Sequence, residues 1–294
     1  MEPASTESGV LKRRTFLSPA KVNIFLKVRS KRPDGYHEIY SLMQPVSLYD
    51  VIEILLTPGA LKAVRCKGYG VPEGRENLAC RAAEAFLERT GIAAEVEIFI
   101  TKNIPIGAGL GGGSSDAAGV LLGLNSMTGQ GLAETELMEL GALIGSDVPF
   151  FILKGPAIAS GRGEILKRVK TPRCHYVLVN PSIHVSTQWA YSNLDLTKKA
   201  KDNTLTYSEA GFSTAESMAG ILENDLEAVT AVSFPEIGLI KEALVEYGAL
   251  GALMSGSGST VFGVFSEEAR AEAAFELVSK RFGGSYSVYL AQGL

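Results

Sequence analysis

Residues 102–116 constrain the chain more than any other stretch, because they concentrate glycine directly before a helix. Five glycines fall within seven residues: Gly107, Gly109, Gly111, Gly112 and Gly113. A backbone that lacks Cβ atoms can curl until several N–H groups point at one anion. The apolar helical pattern that begins at Ala117 adds the unpaired N–H groups and the positive end of a helix dipole. The stretch therefore predicts a phosphate-binding loop.

Two common nucleotide motifs do not account for this loop. The spacing Gly107-x-Gly109-x-x-Gly112 matches the dinucleotide fingerprint, which needs a glycine turn directly after a strand and a βαβ unit. Here Asn103–Ile106 separates the preceding strand from the glycines, and the helix that follows leads to another helix. The loop also lacks the Gly-Lys-Ser/Thr ending of a P-loop. It therefore fits neither class.

Composition restricts the partners and the location of the protein. The net charge of −4 argues against a nucleic-acid binder, and the sequence contains no apolar run long enough to span a membrane. The three cysteines, Cys66, Cys80 and Cys174, are widely spaced, which is poor material for a disulfide or a zinc site. We therefore expect unpaired core cysteines and a cytoplasmic protein without nucleic-acid or membrane partners. Residues 1–13 are polar, lack a signal peptide, and are predicted to form a loose tail.

Hydrophobic periodicity predicts an α+β chain, with a β-rich first half and an α+β second half. Alternating patterns predict four strands in the first half, and two short strands flank Gly161-Arg162-Gly163. Helical patterns follow a predicted Asn77 cap and recur after the glycine loop. The strands are expected at 21–28, 39–48, 51–57 and 95–100, and the helices at 78–89, 134–144, 215–231, 235–247 and 267–282.

Several polar residues each allow two interpretations from the residues alone. Lys21 is either a solvated charge at a strand end or a functional ammonium. Asp147, in an apolar break before Val148, either caps the next helix or acts as a base. Asp116 follows the phosphate loop, where a carboxylate would be repelled unless it helps to hold Mg²⁺ or points away. Tyr36 and His37 follow the turn Arg32-Pro33-Asp34-Gly35 and form either a binding loop or an ordinary strand start.

Three motifs resemble those of the galactokinase, homoserine kinase, mevalonate kinase and phosphomevalonate kinase superfamily. They are Pro19–Asn23, Pro105–Ala118 and Ser255–Ser259. Together with Arg-Pro-Asp-Gly-Tyr-His at 32–37 and Ser-Asp-Val-Pro-Phe-Phe at 146–151, their order is similar to the branch that phosphorylates 4-diphosphocytidyl-2-C-methyl-D-erythritol in non-mevalonate isoprenoid synthesis. The resemblance covers the chain from about residue 15 to its end.

The resemblance implies a two-lobed α+β kinase fold with the active site in the cleft between the lobes. A ribosomal-S5-like N-terminal lobe would cover residues 1–165 and an α+β C-terminal lobe residues 166–294. The cofactors would be ATP and Mg²⁺, with Asp116 as a candidate metal ligand. Some relatives carry Asn at that position, which leaves the metal role open. The enzyme would act on a small molecule as a monomer or a weak homodimer.

The resemblance also assigns functions to individual residues. Asp147 would accept the proton of the substrate hydroxyl, with Lys21 as its partner. Asn23 would contact the substrate near that hydroxyl, and Ser186 or Thr187 would add another hydroxyl group. His37 would read the cytosine edge between the rings of Tyr36 and Tyr191. The ATP phosphates would be wrapped by Pro105, Ile106, Gly107, Ala108, Gly109, Leu110, Gly111, Gly112, Gly113, Ser114 and Ser115.

Three other functions are less consistent with the sequence. A homoserine or mevalonate kinase of the same superfamily would have no cytosine for Tyr36 and His37 to bind. A non-catalytic nucleotide-binding regulator would need neither Lys21 nor Asp147. An RNA-binding module would conflict with the acidic charge balance.

Overall fold

The computed structural model describes residues 11–59, 62–68, 70–71, 74–196 and 212–294. Residues 1–10 of the predicted tail lie outside these ranges. Two compact units are built from interleaved segments of the chain. The first contains the described parts of Met1–Ser18, Asp50–Asn103 and Gly113–Ile152. The second contains those of Pro19–Tyr49, Ile104–Gly112 and Leu153–Leu294.

Groups of consecutive strands and groups of consecutive helices follow one another along the described chain. The strands are Lys12–Lys31 (β1), His37–Pro58 (β2), Ala63–Lys67 (β3), Ala94–Thr101 (β4), Ala157–Gly161 (β5), Ile165–Arg168 (β6), His175–Asn180 (β7), Glu223–Asn224 (β8), Gly251–Met254 (β9), Val261–Phe265 (β10) and Ser287–Gln292 (β11). The helices are Leu78–Thr90 (α1), Gly112–Thr128 (α2), Glu134–Ile144 (α3), Val148–Leu153 (α4), Thr187–Ser192 (α5), Ala215–Ala219 (α6), Glu227–Ser233 (α7), Glu236–Glu246 (α8) and Glu268–Phe282 (α9), with a 3₁₀ turn at Gly74–Glu76.

The first unit packs helices against short paired strands. The C-terminal part of β2 pairs antiparallel with β4, from Val51 opposite Thr101 to Pro58 opposite Ala94. Strand β3 pairs parallel with β4, and α1 packs against β3, β4 and α3. Helix α2 lies so close to the strands that a Cβ at Gly123 would be 2.8 Å from the Ile54 Cδ1 atom. This close approach packs the middle of α2 against β2.

The second unit is organised by a four-stranded sheet in the order β11-β7-β10-β9. All residues of β7 and β10 are buried, because helices α8 and α9 pack against this sheet. The N-terminal part of β2 pairs antiparallel with β5, which forms a hairpin with β6. Strand β1 pairs parallel with β8, with Phe25 opposite Glu223. Asn23 on β1 donates hydrogen bonds to Ser41 on β2 and to Ser255 after β9, which bring these three segments to one site.

Elements with local signals are confirmed, whereas three predicted bounds are wrong. The strands expected at 39–48 and 51–57 form the single strand β2. Helix α1 begins after an Asn77 cap and ends at Gly91 in the left-handed conformation, as its sequence predicts. Strand β1 begins at Lys12, inside the predicted tail, because Arg13 pairs with Glu53 at 2.5 Å. The predicted helix at 215–231 is interrupted by β8, where Asn224 donates hydrogen bonds to the loop after β9.

The cysteine prediction is wrong for two of the three residues. Cys66 on β3 and Cys80 on α1 form a disulfide with a Cα–Cα distance of 5.9 Å. The packing of α1 against β3 brings them together, and their spacing of 14 residues carries no sequence signal for this contact. Cys174 is free and buried, as predicted. None of the helices in the described ranges is both long and apolar enough to cross a membrane.

Candidate active site

The glycine loop is held by its apolar residues and shaped by its glycines. Ile104, Ala108 and Leu110 are buried in a core of the second unit, whereas Ile106 is 55% exposed and Pro105 is half-buried. Positive φ angles of 65°, 77° and 71° occur at Gly107, Gly109 and Gly111. Residues with a side chain rarely adopt this conformation. The loop therefore keeps its backbone accessible while its apolar side chains fix its position.

The loop between β9 and β10 packs directly against the glycine loop. The Ser255 hydroxyl donates to the Gly109 carbonyl at 3.0 Å, and the Thr260 N–H donates to the Ala108 carbonyl at 3.3 Å. A Cβ at Gly109 would lie 2.0 Å from the Ser255 carbonyl oxygen. The first and third motifs of the sequence resemblance also meet here, because the Asn23 N–H donates to the Ser255 hydroxyl at 3.3 Å.

Lys21 and Asn23 form a buried polar pair on one face of β1. The Lys21 ammonium donates to Asn23 Oδ1 at 2.5 Å, and Asn23 Nδ2 donates to the Ser41 hydroxyl at 2.8 Å. Lys21 is 4% exposed and Asn23 is 2% exposed, so Lys21 is not a solvated strand-end charge. The Lys21 N–H donates to the Leu110 carbonyl at 3.0 Å, which ties the strand to the glycine loop. The Asn23 amide therefore orients the ammonium beside this loop.

Asp147 lies in the first unit, in the short break between α3 and α4. It is half-buried, and Gly145 at the end of α3 places this break beside the start of α2. A Cβ at Gly145 would lie 3.7 Å from the Ser114 hydroxyl oxygen. The first unit therefore brings the predicted base near the predicted phosphate-binding serine. The pairing of Asp147 with Lys21, which belongs to the second unit, stays a prediction.

A buried charge cluster, formed by Asp50, Lys102 and Asp116, lies at the start of α2. The Lys102 ammonium donates to Asp116 Oδ2 at 2.9 Å and also to Asp50 Oδ2. Asp50 Oδ1 accepts the Asn103 N–H at 2.7 Å. Burial raises the pKa of Asp116 to about 7, with Lys102 opposing the rise and Asp50 adding to it. Neither Asp50 nor Lys102 was predicted to be functional, although Lys102 stands directly before the predicted loop.

Ser115 and Asp116 have the chemistry of Mg²⁺ ligands beside a polyphosphate. Among the residues that the structure describes, the buried Ser115 hydroxyl and Asp116 Oδ1 have no hydrogen-bond partner. Mg²⁺ prefers oxygen ligands, and it usually takes only one or two protein side chains together with phosphates and water. Within the described ranges, no group of three His, Cys, Asp or Glu side chains could hold a metal by itself. The two orphaned oxygens fit an ion that ATP phosphates also ligate, so the metal role of Asp116 stays a prediction.

The raised pKa of Asp116 in the buried charge cluster predicts that the folding stability of the protein depends on pH. We expect the free energy of unfolding of the ATP-free and Mg²⁺-free protein to fall between pH 5 and 7, by at most about 1.4 kcal/mol per pH unit. The sign follows because the folded-state pKa of Asp116, about 7, exceeds the unfolded value near 3.9, so the folded chain binds more protons in this window. Asp116→Asn should flatten this dependence in urea denaturation, since Lys102 keeps Asp50 as its partner. Parallel pH profiles for the wild type and the variant would contradict the assignment, and Glu139→Gln on the exposed face of α3 is the control.

Two aromatic side chains that were predicted to bind a base are in direct contact. The rings of His37 and Tyr191 stack with centroids 4.9 Å apart and an interplanar angle of 23°. Burial, together with the charge of Lys31, lowers the pKa of His37, which favours the neutral imidazole with one donor and one acceptor nitrogen. Tyr36, which precedes His37 in the sequence, is 53% exposed, and the Arg162 guanidinium lies 4.9 Å from its ring centroid.

The two hydroxyl groups at the start of α5 have separate roles. The Ser186 hydroxyl caps α5 by accepting the Trp189 N–H at 3.3 Å. The Thr187 hydroxyl lies 3.0 Å from that of Ser257, in the loop after β9. Thr187 is therefore the better candidate of the two for a substrate contact. His184, which the sequence analysis did not select, lies against the glycine loop, since a Cβ at Gly107 would be 2.5 Å from its Nδ1 atom.

Comparison with known proteins identifies the class of this site. Residues 77–155 match the family "GHMP kinases N terminal domain", and residues 210–284 match "GHMP kinases C terminal". Two domains of this superfamily in this order define a GHMP kinase. The predicted α+β two-domain fold and the prediction of an ATP-dependent small-molecule kinase are thereby confirmed, whereas the domain boundary at residue 165 stays a prediction.

Similarity to individual proteins identifies the family within this class. The chain is 53% identical to a 4-diphosphocytidyl-2-C-methyl-D-erythritol kinase of Syntrophotalea carbinolica, over 92% of this chain and 95% of that protein. It is 49% identical to the kinase of the same name from Geobacter sp. strain M21, over 93% and 97% of the two chains. A crystal structure of 4-(cytidine 5'-diphospho)-2C-methyl-D-erythritol kinase superposes with a TM-score of 0.79 at 36% identity, over 95% of this chain and 99% of that one. The chain belongs to this kinase family.

A more distant similarity shows the fold alone. Homoserine kinase from Cytophaga hutchinsonii superposes with a TM-score of 0.71 at 19% identity, over 99% of this chain and 96% of that one. The scaffold is therefore common to kinases of different substrates, and the substrate has to be argued from the side chains of the site.

Proposed function

We propose that this protein transfers the γ-phosphoryl group of ATP to the 2-hydroxyl of 4-diphosphocytidyl-2-C-methyl-D-erythritol, a step of non-mevalonate isoprenoid synthesis. The observation that carries the proposal is the arrangement along β2. His37 and Ser41 are four residues apart and share one face of this strand, and Ser41 accepts a hydrogen bond from Asn23. The base-reading imidazole and the Lys21–Asn23 pair thus lie about 13 Å apart at the usual rise of ~3.3 Å per residue.

This spacing suits a substrate whose reacting alcohol and base are joined by a diphosphate. His37 stacks on Tyr191, and its neutral imidazole can both donate to and accept from the cytosine edge. At the other end, Asn23 holds the Lys21 ammonium close to the glycine loop, where negative charge develops during transfer. A substrate without a base would have no group to contact His37 and Tyr191. This supports the cytidine substrate over homoserine or mevalonate.

The chemical step requires alignment and proton management from the protein. The substrate hydroxyl oxygen forms a bond to the γ-phosphorus, the bond to the β,γ-bridging oxygen breaks, and ADP leaves. Asp147 would take the hydroxyl proton, and Lys21 would stabilise the charge of the reacting oxygens. Mg²⁺ would neutralise phosphate charge when bound, with Ser115 and Asp116 as the candidate ligands. The loop Pro105–Ser115 would hold the phosphates by its N–H groups.

The proposed reaction also bears on the location and the oligomeric state of the protein. A cytoplasmic location is supported by the need for ATP, whereas the Cys66–Cys80 disulfide removes the part of the argument that rested on unpaired cysteines. A monomer or a weak homodimer stays the prediction, because the residues proposed to bind the two ends of the substrate belong to one chain.

A coupled ADP-release assay tests the substrate. We expect kcat/KM for 4-diphosphocytidyl-2-C-methyl-D-erythritol to exceed that for homoserine or mevalonate at least about 100-fold, because a site built to hydrogen-bond a base discriminates strongly against molecules that lack one. Product analysis by phosphorus NMR should place the new phosphate on the 2-hydroxyl. ADP release with homoserine or mevalonate alone would overturn the proposal.

A further inference from the structure

The turn between β5 and β6 places a cation on the ring of Tyr36. The Arg162 guanidinium carbon lies 4.9 Å from the ring centroid, within the range of a cation–π contact. Tyr36 is 53% exposed, so much of this residue remains accessible to solvent beside Arg162. A planar guanidinium that covers one face of an exposed phenol restricts its rotation and leaves the opposite face for a ligand.

Arg162 is held in this position by its own turn. Gly161 and Gly163 adopt φ values of 70° and 117°, which bring Glu164 back towards Arg162. Glu164 Oε2 accepts the Arg162 backbone N–H at 2.6 Å, and its other carboxylate oxygen lies 3.5 Å from Arg162 Nε. The Arg162 side chain is 29% exposed, so its ion pair is partly shielded from water. The turn thus fixes the guanidinium before any ligand binds.

The Tyr36 backbone is tied to the same turn through Glu38. Glu38 Oε1 accepts the Gly161 N–H at 3.1 Å, and Glu38 Oε2 accepts from Arg32 at 2.8 Å. Arg32 pairs in turn with Asp34 at 3.1 Å, and Asp34 accepts the Tyr36 N–H at 3.1 Å. These contacts join the turn at residues 32–35 to the turn at residues 161–163. The Tyr36 ring and the Arg162 guanidinium meet where the two turns are joined.

We infer that Arg162 is a positioning residue for base binding: it fixes the Tyr36 ring so that its free face can stack on the pyrimidine of a cytidine diphosphate ligand. The inference rests on the proposed function and adds a residue that the sequence analysis left without a role. Arg162 would act through Tyr36 and would not touch the reacting atoms. Its loss should therefore weaken binding of the base-containing substrate and leave the phosphoryl-transfer step intact.

Kinetic parameters of Arg162→Gln test this role. We expect KM for the cytidine substrate to rise about three- to tenfold, with kcat and KM for ATP unchanged, because only the ring support is removed. Arg162→Lys should give an intermediate value, since it keeps the charge but not the planar group. Arg29→Gln is the matched control, because the Arg29 guanidinium lies 4.5 Å from the Tyr40 ring in the same unit but in another place. An unchanged KM in Arg162→Gln would overturn the inference.

A double-mutant cycle separates positioning from a direct charge effect. In a Tyr36→Leu background, Arg162→Gln should have no further effect on KM, because the ring that it supports is gone. Fully additive losses would overturn the inference, since Arg162 would then act on the substrate independently. Calorimetric titration with CDP measures binding of the cytidine diphosphate portion without the reacting alcohol, and the CDP affinity should fall by the same factor as KM rises. Wild type that binds CDP but phosphorylates no substrate would contradict the proposed function and leave the Arg162 inference standing.

Discussion

Asp147→Asn should lower kcat by at least about 100-fold while KM for ATP stays within a factor of about two, because an amide cannot accept the proton of the substrate hydroxyl. Asparagine has the size of aspartate and caps a helix about equally well. The variant therefore keeps any contribution that Asp147 makes to the start of α4 and removes only its basicity. Steady-state kinetics with the cytidine substrate, together with the melting temperature, measures both properties.

Two further variants separate the base from the cap. Asp147→Ala loses the carboxylate and the cap together, so its kcat should match that of Asp147→Asn. Its free energy of unfolding should be lower by about 1 kcal/mol, which lowers its melting temperature. Glu139→Gln neutralises an exposed carboxylate on α3, in the same unit, and should change neither quantity. If Asp147→Asn turned over like the wild type and only Asp147→Ala lost stability, Asp147 would be a cap and the base would have to be sought elsewhere.

The sequence predicted those elements whose bounds are set by contacts between residues close together along the chain. The bounds of α1 follow from a side-chain cap at Asn77 and a left-handed Gly91, both within a few residues of the helix. Strand β8 interrupts a predicted helix for a reason that no local pattern contains. Asn224 donates at 2.7 Å to the carbonyls of Met254 and Gly256, about thirty residues further along the chain. Tertiary hydrogen bonds overrode the helical periodicity at this point.

Some residues of the candidate site could be identified from the sequence, whereas others depend on tertiary contacts. Family motifs selected Lys21, Asn23 and the glycine loop, and the structure shows them in contact within the second unit. Periodicity could not show that Lys21 is buried, because an alternating strand is expected to leave one face in water. Asp50 had no signal at all, since its contact with Lys102 spans 52 residues. Arg162 was visible as a turn residue, but its contact with Tyr36 depends on the pairing of β2 with β5.

Gly109→Ala should be far more damaging than the same change at Gly248, although both glycines have positive φ angles. Gly248 has φ +93°, and no atom of a described residue lies within 4 Å of an added Cβ, so alanine there should cost about 1–2 kcal/mol of backbone strain alone. At Gly109 the added Cβ would lie 2.0 Å from the Ser255 carbonyl oxygen and 3.1 Å from the Gly258 nitrogen. Overpacking of this kind costs a further 1–3 kcal/mol, about 2–5 kcal/mol in total.

The steric conflict at Gly109 should also reach the function, because backbone atoms cannot rotate away as a side chain can. Relief requires the glycine loop to separate from the loop after β9, which breaks the hydrogen bond from Ser255 to the Gly109 carbonyl. The N–H groups of the loop would then lose their alignment, and we expect ATP affinity to fall at least about tenfold in Gly109→Ala but not in Gly248→Ala. Urea denaturation and ATP titration of the two variants measure the two effects. Equal losses at both positions would show that conformational strain alone requires glycine at position 109, and that contact with Ser255 does not shape the phosphate-binding loop.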